Sequence, residues 1–137
     1  MCEDGSLPEQ DGELFVTPAE LRCLREFLGL TTAWLADRLG IRERRLQRME
    51  AGAEPIPDGV AAEIDDLAAT TAEYVEQLLN EFDDTDEAAT LITYRTDAAF
   101  KASGGLGKTF PASWHRAVAA RVAEQIDTLT LEYSAEG

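Results

Sequence analysis

The sequence predicts a mainly α-helical protein with an N-terminal domain of four to five helices, then a long helix and a small C-terminal α/β unit. Apolar residues recur at helical spacing between residues 17 and 82. Capping residues and glycines divide the first part of this stretch into short helices. Segments rich in β-branched residues with strand-like patterning are predicted only after residue 89. With 45% hydrophobic residues in 137, the chain has the composition of a globular protein.

Three short helices are predicted before residue 53. The motif Thr-Pro-Ala-Glu at residues 17–20 is a capping box with proline at the first helical position, and Gly29 ends the helix that it opens. A second helix is predicted from Thr31 to Gly40. A third helix is predicted over residues 42–50, and it ends at the Ala-Gly pair that follows. Cys23 falls within the first apolar pattern and is predicted to be a small core residue.

A proline-rich connector at residues 54–58 leads into the long fourth helix, which extends to about residue 82. Strands are predicted over residues 90–94 and 128–133. Between them the sequence predicts a short helix at 97–101, a glycine-rich loop and a helix at 111–126. This last third of the chain therefore forms the expected α/β unit.

Residues 32–52 have the spacing of two short helices that pack at a steep angle. Ala36 supplies the small residue at the crossing, and Gly40 supplies the positive φ where the chain reverses. The apolar contact positions are Leu35, Leu39, Ile41, Leu46 and Met49. This pattern predicts a helix-turn-helix, whose second helix enters the major groove of DNA.

The segment TPAELRCLREFLGLTTAWLADRLGIRERRLQRMEAG resembles the Cro/CI-repressor (XRE-type) DNA-binding family. The resemblance covers about residues 17–68 and implies a bacterial or phage regulator that binds a palindromic operator as a dimer. The C-terminal unit resembles, more weakly, the dimerisation unit of small phage or anti-CRISPR-associated regulators. Where the family often has a polar cap, a threonine and a tryptophan, this chain has Arg42, Arg45 and Met49.

The chain is predicted to comprise four regions. These are a disordered acidic tail at 1–13, a helix-turn-helix domain with an extended last helix at 14–82, an acidic linker at 83–89 and a small α/β dimerisation unit at 90–137.

Seven residues are predicted to contact operator DNA: Thr32, Arg42, Glu43, Arg44, Arg45, Gln47 and Arg48. Arg44 and Gln47 are the favoured base readers, because arginine bonds guanine and glutamine bonds adenine bidentately. The other three arginines are assigned to phosphates. Glu43 either meets a cytosine amino group or repels the wrong sequence. The family resemblance assigns the Thr32 hydroxyl to a phosphate.

The charge distribution supports a localised attraction for DNA and leaves one alternative open. The net charge is −15 overall, yet residues 17–52 carry +2 and the rest of the chain carries −17. The alternative is an antitoxin or adaptor-type module whose acidic C-terminal part binds a protein partner.

A homodimer is predicted, held by the C-terminal unit. A single helix-turn-helix makes too few contacts for useful specificity, and two short strands gain by pairing across a two-fold axis. The predicted dimer contacts are Leu91, Tyr94, Phe110, Trp114, Val118, Leu129 and Leu131.

Other functions are given little support by the sequence. The loop ASGGLGKT at 102–109 resembles a phosphate-binding loop, but it follows a helix and meets Pro111, so we interpret it as a flexible turn rather than the site of a nucleotide-dependent enzyme. His115 is the single histidine and is predicted to pack rather than react. No enzyme activity, cofactor or metal is predicted. The acidic N-terminus and the lack of a long apolar run predict a cytoplasmic, nucleoid-associated protein without membrane contact.

Overall fold

The computed structural model describes residues 16–83 and 88–135, and it confirms a mainly helical fold. The elements are α1 (Pro18–Phe27), α2 (Thr32–Leu39), α3 (Glu43–Ala51), α4 (Asp58–Asp83), β1 (Ala89–Thr93), α5 (Asp97–Ala102), α6 (Ala112–Gln125) and β2 (Leu129–Tyr133). A 3-10 helix, Gly105–Lys108, lies between α5 and α6. The predicted tail at 1–13 and most of the predicted linker lie outside the described residues.

The ends of the short helices follow from their capping residues. The Thr17 hydroxyl accepts a hydrogen bond from the Glu20 backbone N–H at 3.0 Å, and the Glu20 carboxylate accepts one from the Thr17 N–H at 3.0 Å. Gly40 ends α2 with φ +73°, a left-handed conformation that residues with a Cβ rarely adopt. The predicted capping box and the predicted turn are both confirmed.

The side chains that hold α1–α4 together are the apolar residues of the predicted pattern. Leu35, Ala36, Leu46 and Met49 are buried, as the helix-turn-helix spacing requires. Leu21 and Leu28 of the α1 region and Ile64 of α4 complete this part of the core. Burial of each large aliphatic side chain stabilises the fold by about 1.5–3 kcal/mol.

The prediction for Cys23 is wrong, because its side chain is exposed. Leu21 and Leu28 define the buried face of the first helical segment. Cys23 lies two residues after Leu21, which on a helix with 3.6 residues per turn places it on the opposite side. Phe27 likewise projects outward and is 54% exposed.

The C-terminal unit consists of two parallel strands joined by α5, the 3-10 helix and α6. The register runs from Ala89 opposite Leu129 to Thr93 opposite Tyr133. The predicted strands therefore pair with each other inside one chain. Helix α6 packs against both strands and against α4.

Trp114 of α6 joins the C-terminal unit to the helical half. Its side chain is fully buried and stacks on Phe110 at a centroid distance of 4.0 Å and on Tyr74 of α4 at 5.4 Å. The indole N–H donates to the Thr71 hydroxyl at 2.9 Å. Phe110 in turn stacks on Trp34 of α2 at 5.8 Å. One contiguous cluster of buried residues consequently spans both halves.

A close backbone approach strengthens the same junction. The Ser113 hydroxyl donates to the Gly29 carbonyl at 2.5 Å. Gly29 has φ +72°, and a Cβ at this position would collide with the Ser113 carbonyl. Glycine is therefore required here both by the backbone conformation and by the space.

The structure corrects the location of four predicted dimer contacts. Leu91, Phe110, Trp114 and Val118 are buried within the chain, so they stabilise its core and cannot present a contact surface. Tyr94 and Leu129 are half-buried, and Leu131 is 37% exposed. The sequence alone does not reveal that Trp114 stacks on Tyr74 of α4 and Phe110 on Trp34 of α2, which is why both residues are predicted at an interface.

The glycine-rich loop forms a turn, as predicted, and packs against α5. Residues 105–108 form the 3-10 helix, and Gly107 is buried against the carbonyl of Phe100. The absence of a Cβ at Gly107 is what allows this approach.

We predict that His115 makes stability depend on pH. Burial lowers its pKa to about 4, and its Nδ1 lies 2.7 Å from the Thr93 hydroxyl. Between pH 6.5 and 4 the unfolded chain binds a proton that the folded chain does not, so stability falls as the pH falls through this window, by up to about 3 kcal/mol.

The test is urea unfolding from pH 7 to pH 4, followed by circular dichroism, for the wild type and for His115→Gln. The carboxyl groups titrate in both proteins, so the difference between them isolates the histidine. Parallel pH profiles for the two proteins would contradict the prediction.

Candidate nucleic-acid interface

Helix α3 has one buried and one exposed face. Leu46 and Met49 are fully buried, whereas Arg44, Gln47 and Arg48 are exposed. Arg42 is the N-cap residue, with extended backbone and no side-chain cap, and its side chain is also exposed. The exposed face therefore presents several long hydrogen-bonding side chains on a rigid helix.

A nearly buried ion pair fixes α3 against α1. Arg25 donates from Nε and Nη2 to the two carboxylate oxygens of Glu50, at 2.6 and 3.0 Å. Its Nη1 donates to the Leu30 carbonyl at 2.9 Å. The side chains of Arg25 and Glu50 are only 11% and 7% exposed. The planar guanidinium thus ties the first helix, the turn after it and the last turn of α3 into one unit.

The first residues of α2 and α3 contact each other. The Thr32 hydroxyl donates to Glu43 Oε2 at 2.5 Å. Both residues are predicted to contact DNA, and the structure brings them together at the same end of the two helices. The bond directs the Glu43 carboxylate toward α2.

Two arginines of α3 share one carboxylate from the connector. Arg45 Nε and Arg48 Nε donate to Glu54 at 2.5 and 3.1 Å. The hydrogen bond from Arg45 is the largest cause of a pKa of Glu54 below its ordinary value. Glu54 is therefore ionised at neutral pH, and it reduces the positive charge of this part of the surface.

The arginines line an open hollow beside the turn between α2 and α3. Its volume is about 610 Å³. Its lining residues are Gly40, Ile41, Arg42, Arg44, Arg45 and Arg48. None of them is acidic, so the hollow is a positively charged surface that suits an anionic backbone.

Of the seven predicted contacts, four arginines line this hollow: Arg42, Arg44, Arg45 and Arg48. Gln47 is exposed on α3, and Thr32 is paired with Glu43. Arg45 and Arg48 are paired with Glu54.

Comparison with known families identifies this part of the chain. Residues 19–78 match the family model described as a helix-turn-helix domain. They form a helix-turn-helix domain of the Cro/CI-repressor (XRE) kind, as the resemblance predicted. No curated protein matches the chain. The domain indicates a DNA-binding regulator, and the resemblance to small phage or anti-CRISPR-associated regulators stays a prediction.

The described residues include neither a candidate membrane span nor a candidate metal site. In that part of the chain, no helix is both long and apolar enough to cross a membrane. Likewise, the ranges 16–83 and 88–135 contain no group of three histidine, cysteine or carboxylate side chains placed to hold a metal ion.

Sequence reasoning missed the two glutamates that organise the arginines of this domain. Arg25 and Glu50 are far apart in the chain, and nothing in their local pattern links them. Glu54 was assigned only to the connector. Its position six residues after Arg48, beyond the helix-ending Gly52, was a signal that a carboxylate could fold back onto α3.

We predict that Glu50→Gln destabilises the fold by about 3–5 kcal/mol, because it leaves the nearly buried Arg25 charge without its partner. The matched control is Glu63→Gln, which breaks the more exposed ion pair with Arg38 and should cost at most about 1 kcal/mol. Urea unfolding monitored by circular dichroism measures both. Equal losses of stability in the two variants would show that the Arg25–Glu50 pair does not fix α3.

Proposed function

We propose that the protein is a sequence-specific transcription regulator, acting as a repressor or autoregulator on a palindromic operator in the cytoplasm, at the nucleoid. The observation that carries this proposal is the exposed face of α3, on which Arg44 and Gln47 project from a helix held by the Arg25–Glu50 pair. A side chain reads bases only when its helix is positioned rigidly in the groove.

The proposed roles follow from the donor groups available. Arg44 reads guanine and Gln47 reads adenine, because each side chain can form two hydrogen bonds to the major-groove edge of its base. Arg42, Arg45 and Arg48 bind phosphates, which position the domain without reading sequence. Glu43, held by Thr32, accepts from cytosine or disfavours other bases at its position.

No catalytic role is proposed. Helix-turn-helix domains of this kind typically act by binding alone. The histidine is buried against Thr93 and aromatic rings, where it has no access to a substrate.

We also propose that the chain acts as a homodimer that pairs through its two-stranded sheet. Ile92, Leu131 and Tyr133 are 42%, 37% and 48% exposed, which makes the sheet the main site of large exposed apolar side chains among the described residues. Strand β2 pairs on one side only, with β1. A second copy would add its own β2 to this edge and place its side chains beside Leu131 and Tyr133, which share one face of the sheet.

We predict that Arg44→Ala weakens binding to the operator by about 1–3 kcal/mol per half-site and relaxes the preference at one base pair. Arg48→Ala should weaken binding to all sequences alike and reduce the salt slope by about one. Selection from randomised duplexes identifies the operator, and fluorescence anisotropy at several salt concentrations measures both variants. Arg22→Ala, which removes an exposed arginine from α1, is the control.

The double variant Arg44→Ala/Arg48→Ala should lose operator binding and keep its helical content, because neither side chain is buried. If the folded double variant retains full operator affinity, the DNA-binding role of α3 is wrong. The protein-binding alternative, with an acidic surface that captures a partner, then becomes the better hypothesis.

We predict that Leu131→Lys converts the dimer to a monomer, because it places two charges in the proposed interface. Leu106→Lys is a matched control, since Leu106 is 36% exposed but lies on the 3-10 helix. Sedimentation velocity of the full chain measures the assembly state. If Leu131→Lys leaves a dimer intact, the sheet edge is not its interface.

A further inference from the structure

Glu54 holds two of the arginines assigned to phosphates. Helix α3 ends at Ala51, Gly52 takes the left-handed conformation, and the Ala53 N–H donates to the Arg48 carbonyl at 2.9 Å. The chain therefore turns back beside the last turn of α3 and places Glu54 next to Arg45 and Arg48. Pro55 follows directly and restricts the backbone of Glu54.

The geometry leaves part of each arginine free for DNA. The bonds to Glu54 are donated by Nε of Arg45 and by Nε of Arg48, at 2.5 and 3.1 Å. The terminal Nη groups are not needed for these bonds, so each guanidinium can still bind a phosphate. The Glu54 side chain is 23% exposed, whereas those of Arg45 and Arg48 are 43% and 50% exposed. The carboxylate is thus the better-buried member of the cluster.

The cluster has two opposite effects on DNA binding. Its net charge is +1 instead of +2, which weakens attraction to every duplex. At the same time the carboxylate orders two long side chains that otherwise lose rotamer freedom on binding. The first effect acts on all DNA, whereas the second helps only where phosphates meet the ordered Nη groups.

We infer that Glu54 is a specificity-determining residue that contacts no DNA itself and acts by restraining Arg45 and Arg48. This inference rests on the proposed function of α3. On random DNA, where the domain adopts many orientations, the restrained and partly neutralised arginines bind weakly. On the operator, base contacts by Arg44 and Gln47 fix one orientation, in which the ordered guanidinium groups meet phosphates. Glu54 thereby lowers binding to competing sequences more than binding to the operator.

The test is the binding of Glu54→Gln to two duplexes, the site recovered by selection and a scrambled duplex of the same composition. We expect Glu54→Gln to bind the scrambled duplex roughly 3–10-fold more tightly than the wild type does. The salt slope of this binding should be steeper by about one. Operator affinity should stay nearly constant, because the gain of charge and the loss of side-chain order offset each other there, so the ratio of operator to scrambled affinity should fall roughly 3–10-fold.

Glu26→Gln is the matched control. It removes one negative charge from an exposed carboxylate that also pairs with an arginine Nε, that of Arg22, at 3.1 Å. It therefore measures how much DNA affinity changes when the net negative charge of the protein falls by one and no side chain of α3 loses its partner. If Glu26→Gln and Glu54→Gln change both affinities equally, the inference is overturned.

A second comparison tests the route through the arginines. In an Arg45→Ala/Arg48→Ala background, Glu54→Gln should no longer alter the ratio of the two affinities. A change that persists in this background would overturn the inference, because Glu54 would then act through another group. Should Glu54→Gln fold poorly by circular dichroism, Glu54→Ala replaces it, since alanine also removes the carboxylate from both arginines.

The results also separate this inference from the proposed function. If neither wild-type protein nor Glu54→Gln binds any duplex, the DNA-binding function itself is wrong. If the wild type prefers the selected site and Glu54→Gln keeps the same preference, the function stands and the role of Glu54 is overturned.

Discussion

Stacking of the Trp114 indole on Phe110 and on Tyr74 is the interaction on which the arrangement of the two halves depends. Phe110 continues the stack to Trp34 of α2, and Tyr74 belongs to α4. Each aromatic contact of this kind contributes about 0.5–1.5 kcal/mol beyond the burial of its area. The buried indole N–H is satisfied by Thr71, whose own hydroxyl donates to the Leu67 carbonyl. The helix-turn-helix domain therefore shares one core with the C-terminal unit.

Two kinds of ion pair act on α3, and their burial decides what each can do. The Arg25–Glu50 pair is nearly buried and bidentate, and it fixes the helix as a rigid body. Loss of Glu50 would leave the Arg25 charge with neither a partner nor full hydration. The pairs of Glu54 with Arg45 and Arg48 are more exposed, where such pairs contribute only about 0–1 kcal/mol. They leave the helix in place and adjust the side chains on its surface. Position and surface chemistry of the same helix are thus controlled separately.

Local patterns allowed most of the helical half to be predicted. The capping box at Thr17, the turn at Gly40 and the burial of Leu46 each follow from spacing within a few residues. Contacts between segments that are distant in the chain produce no such local pattern in the sequence. The stack that buries Trp114 depends on α4 lying across α6, and the approach of Gly29 to Ser113 joins residues far apart in the chain. For the same reason the arginines of α3 were predicted as a surface, but their partner Glu54 was not.

The parallel pairing of β1 with β2 has a consequence for the order in which the molecule assembles during translation. Parallel strands need a long crossover, and here α5, the 3-10 helix and α6 are all synthesised before β2. Helices α1–α4 can form from contacts near in sequence while the ribosome is still completing α6. The rings of Trp34 and Tyr74 are synthesised before Phe110 and Trp114, which cover them in the finished protein. The helical half can therefore complete its aromatic contacts only after the last third of the chain has left the exit tunnel.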